Sequence, residues 1–206
     1  MTEIGTHIDL LFAAELQFRL VSAMRLAVAM GNQPLDLPIE WSHGKHRVRY
    51  EEVALRKDQA DFAAGIMQRS ATYLLAVAMK DAIKTAVRDP KNSQEPNVQA
   101  AYQISRLIRN AFAHSPFDPI WSIDPDCQNR VFQIGEIVSL NTTELQGVAF
   151  DWRHYGGPLA LLRLCRYVRF EILKDSRRTR QVIPLPKEIY YQQDDLILKR
   201  VRKRDD

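Results

Sequence analysis

Four stretches of the chain repeat apolar residues at three- and four-residue steps, a period that leaves little choice but α-helix. The first, 8–30, places Leu10, Leu11, Ala14, Phe18, Val21 and Ala29 on its apolar face, with Glu15, Arg19, Ser22 and Arg25 on the wetter side. Gly31-Asn32 ends it, because both residue types tolerate positive φ. The second, 57–88, carries Phe62, Ile66, Ala71, Leu74, Leu75, Ala78, Ala82 and Ile83 in register and closes at Asp89-Pro90. The third, 97–113, turns Val98, Ala101, Ile104, Leu107, Ile108 and Phe112 inward. It stops before Ser115-Pro116, since the residue preceding a proline avoids the helical region. The fourth, 158–174, is entered through Gly156-Gly157 and directs Leu159, Leu162, Cys165, Tyr167 or Val168, and Ile172 to the core.

The texture between these helices differs. Residues 32–56 hold Pro34, Pro38 and Gly44 and read as a loop with one short strand at 47–50. Residues 120–123 and 130–134 are short β-prone runs separated by the turn Asp124-Pro125-Asp126. Asn141-Thr142-Thr143 offers helix caps, with Thr143 and Gln146 spaced as a capping box. The expected fold class is all-α: a helical bundle of four or more helices with a small β-hairpin excursion after the third long helix. A helical domain would occupy 1–175, with the excursion at about 118–140. Residues 176–206 would form an irregular basic tail.

Charge and apolar runs narrow the functional classes. Residues 1–162 hold 16 basic and 18 acidic side chains, whereas 163–206 hold 13 and 7. The positive balance therefore belongs to the C-terminal fifth, where Lys199, Arg200, Arg202, Lys203 and Arg204 form a cluster suited to a polyanion or to a solvated tail. The apolar run 71–79 is nine residues long, against about 20 needed to cross a bilayer. Glu3 and Asp9 stand where a secretory leader would be basic. Cys127 and Cys165 lack any CxxC spacing, so a reducing compartment is the simpler setting. The expectation is a cytoplasmic protein with no membrane contact and no cofactor.

The chemistry-bearing residues cluster at the end of the third helix, in Arg109-Asn110-Ala111-Phe112-Ala113-His114. Five residues of ideal helix turn through about 500°, so Arg109 and His114 lie about 140° apart and do not stack. Asn110 and His114, four apart, share a face, which lets the amide orient the imidazole. Arg109 and His114 converge only at a distorted helix end or across an interface with a second copy of the helix. Such a set suits cleavage of a phosphodiester in RNA. His114, with a natural pKa near neutrality, would take the 2′-hydroxyl proton or protonate the leaving oxygen. Arg109 would grip the scissile phosphate through two parallel hydrogen bonds and stabilise its growing charge. No metal is needed when the nucleophile is the substrate's own hydroxyl. Arg106, three before Arg109 and four before Asn110, sits beside this position and would help hold RNA.

An Arg-x4-6-His motif with Asn after the Arg, near the end of the third helix, resembles the HEPN superfamily. The resemblance implies a helical bundle and, often, a metal-independent endoribonuclease acting as a toxin or defence component, with a cognate antitoxin or regulatory protein as partner. It also implies a homodimer whose two motifs face each other across a groove, which meets the convergence requirement. Carried over, Arg109 and His114 match the invariant pair and Asn110 the polar third position. The motif spans six residues and the helical layout about 8–175; the β excursion and the basic tail are outside the family's core pattern. Noncatalytic relatives also use this fold, so a module that binds RNA or a protein through the same groove is the alternative.

A purely structural reading of the same residues would put Arg109 in a surface salt bridge to Asp118 and His114 at the helix end against Phe117. Elsewhere, His43 and His46 have no third metal ligand nearby. Lys45, Arg47 and Arg49 alternate along one strand face as a solvated edge would. His154-Tyr155-Gly156-Gly157-Pro158 reads as a turn into a helix, lacking a full phosphate-binding glycine pattern. Trp121, Trp152 and Phe117 read as packing for the β excursion, and Met24, Met30, Met67 and Met79 as core filler.

Overall fold

The computed structural model describes residues 3–31, 40–43, 45–49, 55–113, 115–176, 188–193 and 196–201. They are mostly helical, with four α-helices among them. The chain divides into two compact units, Met1–Asp175 and Ser176–Asp206. In the first, α1 (Glu3–Ala29) and α2 (Lys57–Ala86) run antiparallel. Arg25 near the end of α1 pairs with Asp61 near the start of α2, and His7 and Asp81 line one cleft at the opposite end. A 3₁₀ turn, Pro90–Asn92, leads into α3 (Pro96–Ala113), and α4 (Gly157–Tyr167) follows the β excursion.

The core gathers Leu11, Phe18 and Val21 of α1, Leu75, Met79 and Ile83 of α2, and Leu161, Leu164 and Cys165 of α4. All six apolar positions read from α3 are buried there. Full burial of each large apolar side chain contributes about 1.5–3 kcal/mol against leaving it in water. Among the described residues no helix is long and apolar enough to cross a membrane.

Strands β1 (Glu40–His43) and β2 (His46–Arg49) pair antiparallel, so the region read as a loop with one strand holds a hairpin instead. The excursion after α3 contains a second hairpin, β3 (Val131–Ile134) with β4 (Val138–Asn141). Residues 120–123, read as a strand, contribute only a single bridge between Ile120 and Ala149. The residues read as a helix cap at 141–146 close this excursion and start no helix. Thr142 Oγ1 accepts from the Arg130 amide at 2.9 Å and donates to the Cys127 carbonyl at 2.6 Å. Gln146 Oε1 accepts from the Ile123 amide at 2.7 Å. Short polar side chains satisfy backbone groups in turns as readily as at helix starts, so the same letters served a different end.

Several other expectations are corrected. Leu10 and Ala29 of α1 face solvent, as do Phe62 and Leu74 of α2 and Leu159 of α4. Glu15, assigned to the wet side, is only 2% exposed, because it shares the inward face of α1 with Leu11 and Phe18 and meets a buried arginine there. The last helix narrows to Gly157–Tyr167 and continues as a π turn, Val168–Ile172, in which the Leu173 amide donates to the Val168 carbonyl at 2.9 Å. Phe117 is 65% exposed and takes no part in the packing expected of it, whereas Trp121 is buried and Trp152 lies against Phe150.

In the second unit, β5 (Glu188–Gln193) and β6 (Leu196–Val201) pair antiparallel with Gln193 opposite Leu196. The expected irregular tail thus holds a hairpin. Its strands are built on the β-prone runs Ile189-Tyr190-Tyr191 and Leu196-Ile197-Leu198.

Candidate functional site

The last two turns of α3 carry Arg106, Arg109 and Asn110 on the face opposite the buried apolar row, and all three are half-buried. The excursion fixes this helix end. The Ile120 amide donates to the Ala111 carbonyl at 3.1 Å, satisfying one of the acceptors that a helix terminus leaves open. Trp121 then runs into the core beside Phe150, which itself stacks edge-on against Phe112 of α3 with ring centroids 4.8 Å apart. Trp121 Nε1 donates to His154 Nδ1 at 2.8 Å, so the neutral His154 ring carries its proton on Nε2.

From Trp121 the chain passes under α3 through a 3₁₀ turn, Pro125–Cys127, and brings Asp124 and Asp126 to the helix. Arg106 Nη2 donates to Asp126 Oδ1 and Oδ2 at 3.1 and 3.0 Å and lies 3.3 Å from Asp124 Oδ2. It also reaches Cys127 Sγ at 3.0 Å. Lys91, from the turn before α3, completes the set with its Nζ 3.1 Å from Asp126 Oδ2. Two cations and two carboxylates thus form a charge-balanced group. Burial opposes the charge on Arg106, but the Cys127 and Asp126 hydrogen bonds and the charge of Asp124 raise its pKa further. Burial likewise opposes ionisation of Asp126, yet Lys91 and Arg106 hold its carboxyl below the ordinary value. The Cys127 thiol is pushed up by burial, against the pull of Arg106.

Arg109 stands differently. Its Nη1 donates to Asn110 Oδ1 at 3.2 Å, and Asn110 Nδ2 donates to Asp124 Oδ2 at 2.9 Å. Among the described residues no carboxylate lies within salt-bridge distance of Arg109, so the surface pair with Asp118 is not formed. The guanidinium is oriented by a neutral oxygen. His114 lies outside the described residues. Of the four residues named from sequence, the structure therefore brings Arg106, Arg109 and Asn110 together.

What sequence reasoning missed is the acidic turn beneath the helix. Asp124 was read only as part of a turn signal, and nothing in a spacing of 14 residues announces a contact with Asn110. Arg106 has two carboxylates at salt-bridge distance, whereas no described carboxylate lies at that distance from Arg109. Among the described residues no three His, Cys, Asp or Glu side chains are grouped as a metal ion requires. No family model, curated protein or solved structure matches the chain.

Proposed function

We propose that this protein is a metal-independent endoribonuclease of the HEPN type, a helical bundle acting as a homodimer in the cytoplasm, as a toxin or defence component. The observation that carries the reading is Arg109: a half-buried guanidinium near the C-terminal end of α3, aimed by Asn110 and without a described carboxylate at salt-bridge distance. A guanidinium near a helix end with no acid beside it is suited to a phosphate, whereas the charge of Arg106 is already shared with two acids. In the proposed reaction His114 moves the proton of the 2′-hydroxyl or of the leaving oxygen. Arg109 stabilises charge growing on the phosphate. Asn110 orients Arg109, and Arg106 borders the substrate with its own charge already shared. Two copies bring the motifs together across a groove, since positions 109 and 114 diverge by about 140° on one ideal helix.

The test is incubation of purified wild type, Arg109→Ala and His114→Ala with total RNA in excess EDTA, followed by end-group analysis. Cleavage by the wild type alone, leaving 2′,3′-cyclic phosphate and 5′-hydroxyl ends, is the expected result. A deoxyribose at the cut site should abolish it. No cutting by any of the three across several RNA classes overturns the ribonuclease reading. Salt-dependent RNA binding that Arg109→Ala weakens would then identify a noncatalytic RNA-binding module.

A further inference from the structure

We infer that Asp124 is a positioning residue of this site, fixing through the Asn110 amide the direction in which the Arg109 guanidinium points. The inference deepens the ribonuclease reading and rests on it for its activity arm, though not for its structural arm.

The chemistry of the three groups allows one arrangement. An ionised carboxylate only accepts hydrogen bonds and a guanidinium only donates them. An amide lying between the two satisfies both only with its nitrogen toward Asp124 and its oxygen toward Arg109. That is the arrangement present, at 2.9 and 3.2 Å. Without the carboxylate only Arg109 itself favours this orientation, and the Asn110 NH₂ group loses the acceptor that holds the amide in place. The reverse one would turn its NH₂ group on Arg109, donor against donor.

Asp124 is itself firmly held. Its neighbours Ile123 and Cys127 are buried, its carbonyl accepts from the Cys127 amide at 2.8 Å, and Pro125 restricts the backbone that follows. Charge balance matters equally. A bare carboxylate one amide away from Arg109 would repel a phosphate, but Arg106 lies 3.3 Å from Asp124 Oδ2 and offsets it. Asp124 thus transmits direction to Arg109 while its negative charge is spent on a different arginine. The β excursion, whose Trp121 and Ile123 belong to the core, thereby carries part of the site.

The experiment compares wild type, Asp124→Ala, Asp124→Asn and Asp126→Ala. Each is followed by side-chain ¹⁵N NMR of Asn110 Nδ2 and Arg109 Nε, and by RNA cleavage in EDTA. Asp124→Asn keeps an acceptor oxygen, so it should retain the wild-type Asn110 and Arg109 signals. Asp124→Ala should shift both and speed solvent exchange of the Asn110 amide protons. Asp126→Ala removes a comparable charge from Arg106 without touching Asn110, and separates positioning from general loosening: it should leave both signals in place. In cleavage, Asp124→Ala should lower kcat by about ten- to a hundredfold with little change in KM, a misplacement effect, and Asp124→Asn should restore most of it. The inference is overturned if Asp124→Ala leaves the two signals unchanged, or if Asp126→Ala shifts them as much. Absence of RNA cleavage by the wild type would sink the ribonuclease reading alone, because the NMR comparison still decides the positioning role.

Discussion

Glu15 shows how far one charged side chain can depart from the pattern that surrounds it. Its carboxylate accepts from Arg169, which in turn donates to Asp175 Oδ2 at 2.7 and 3.2 Å, and all three side chains are at most 5% exposed. The guanidinium also lies 4.7 Å from the Phe12 ring centroid and 4.9 Å from that of Phe170. Removing the shared arginine would leave two buried carboxylates without their cation, and an uncompensated buried charge costs about 3–5 kcal/mol. Arg169→Ala is therefore expected to destabilise the fold by that amount in urea unfolding. Arg166→Ala, which removes the outer and half-exposed partner of Glu15, should cost no more than about 1 kcal/mol. Equal effects from the two would mean that the buried group carries no special weight.

Among the elements, the hairpin excursion does the most to complete the site, and Thr142 ties it shut. Thr142→Val keeps the shape but leaves the Arg130 amide and the Cys127 carbonyl without the hydroxyl. A loss of about 1–3 kcal/mol in thermal or urea unfolding is expected. A midpoint unchanged within error would show that water replaces the hydroxyl. The same elements explain what could be read in advance. Helix α3 was transparent because its buried residues fall on one continuous arc, and the period alone identifies them. Arg109 and Asn110 stand out in the sequence through their spacing from His114 at the end of that helix, and the structure places both on its half-buried face. Glu15 was misassigned because polarity stood in for exposure, and its partner Arg169 is 154 residues away. The acidic turn at Asp124–Asp126 was seen as a turn, but its use as a clamp depends on packing that no local pattern encodes. The exposed Leu10, Phe62 and Leu74 show the limit in the other direction: an apolar residue at the right period still points outward where no described element covers that face.

Across the molecule, the ionisable groups set a pH window. Arg153 hydrogen bonds lower the Asp151 carboxyl to about 2, and Asp126 is also held below its ordinary value by Lys91 and Arg106 despite its burial. A carboxyl whose pKa is depressed by folding stabilises the fold above its unfolded value, near about 4, and that contribution disappears as pH falls through the folded pKa. The alkaline side has the opposite sign. Burial raises the Cys165 thiol and the Tyr155 phenol, so each keeps its proton in the fold at a pH where the unfolded chain would release it. Their stabilising share is complete below the unfolded values, from about 8.5 for the thiol, and is lost as pH rises through the folded ones. Stability should thus be level between about pH 5 and 8 and fall on both sides. Trp41, Trp121 and Trp152 all belong to the Met1–Asp175 unit, so tryptophan fluorescence in urea reports on that unit. Asp126→Asn should shrink the acid limb and Cys165→Ala the alkaline one, each leaving the other limb intact. Urea midpoints that coincide at pH 3 and pH 7 would contradict the assignment of these carboxylates as folding-linked groups, because a depressed pKa cannot exist without a matching loss of stability on protonation.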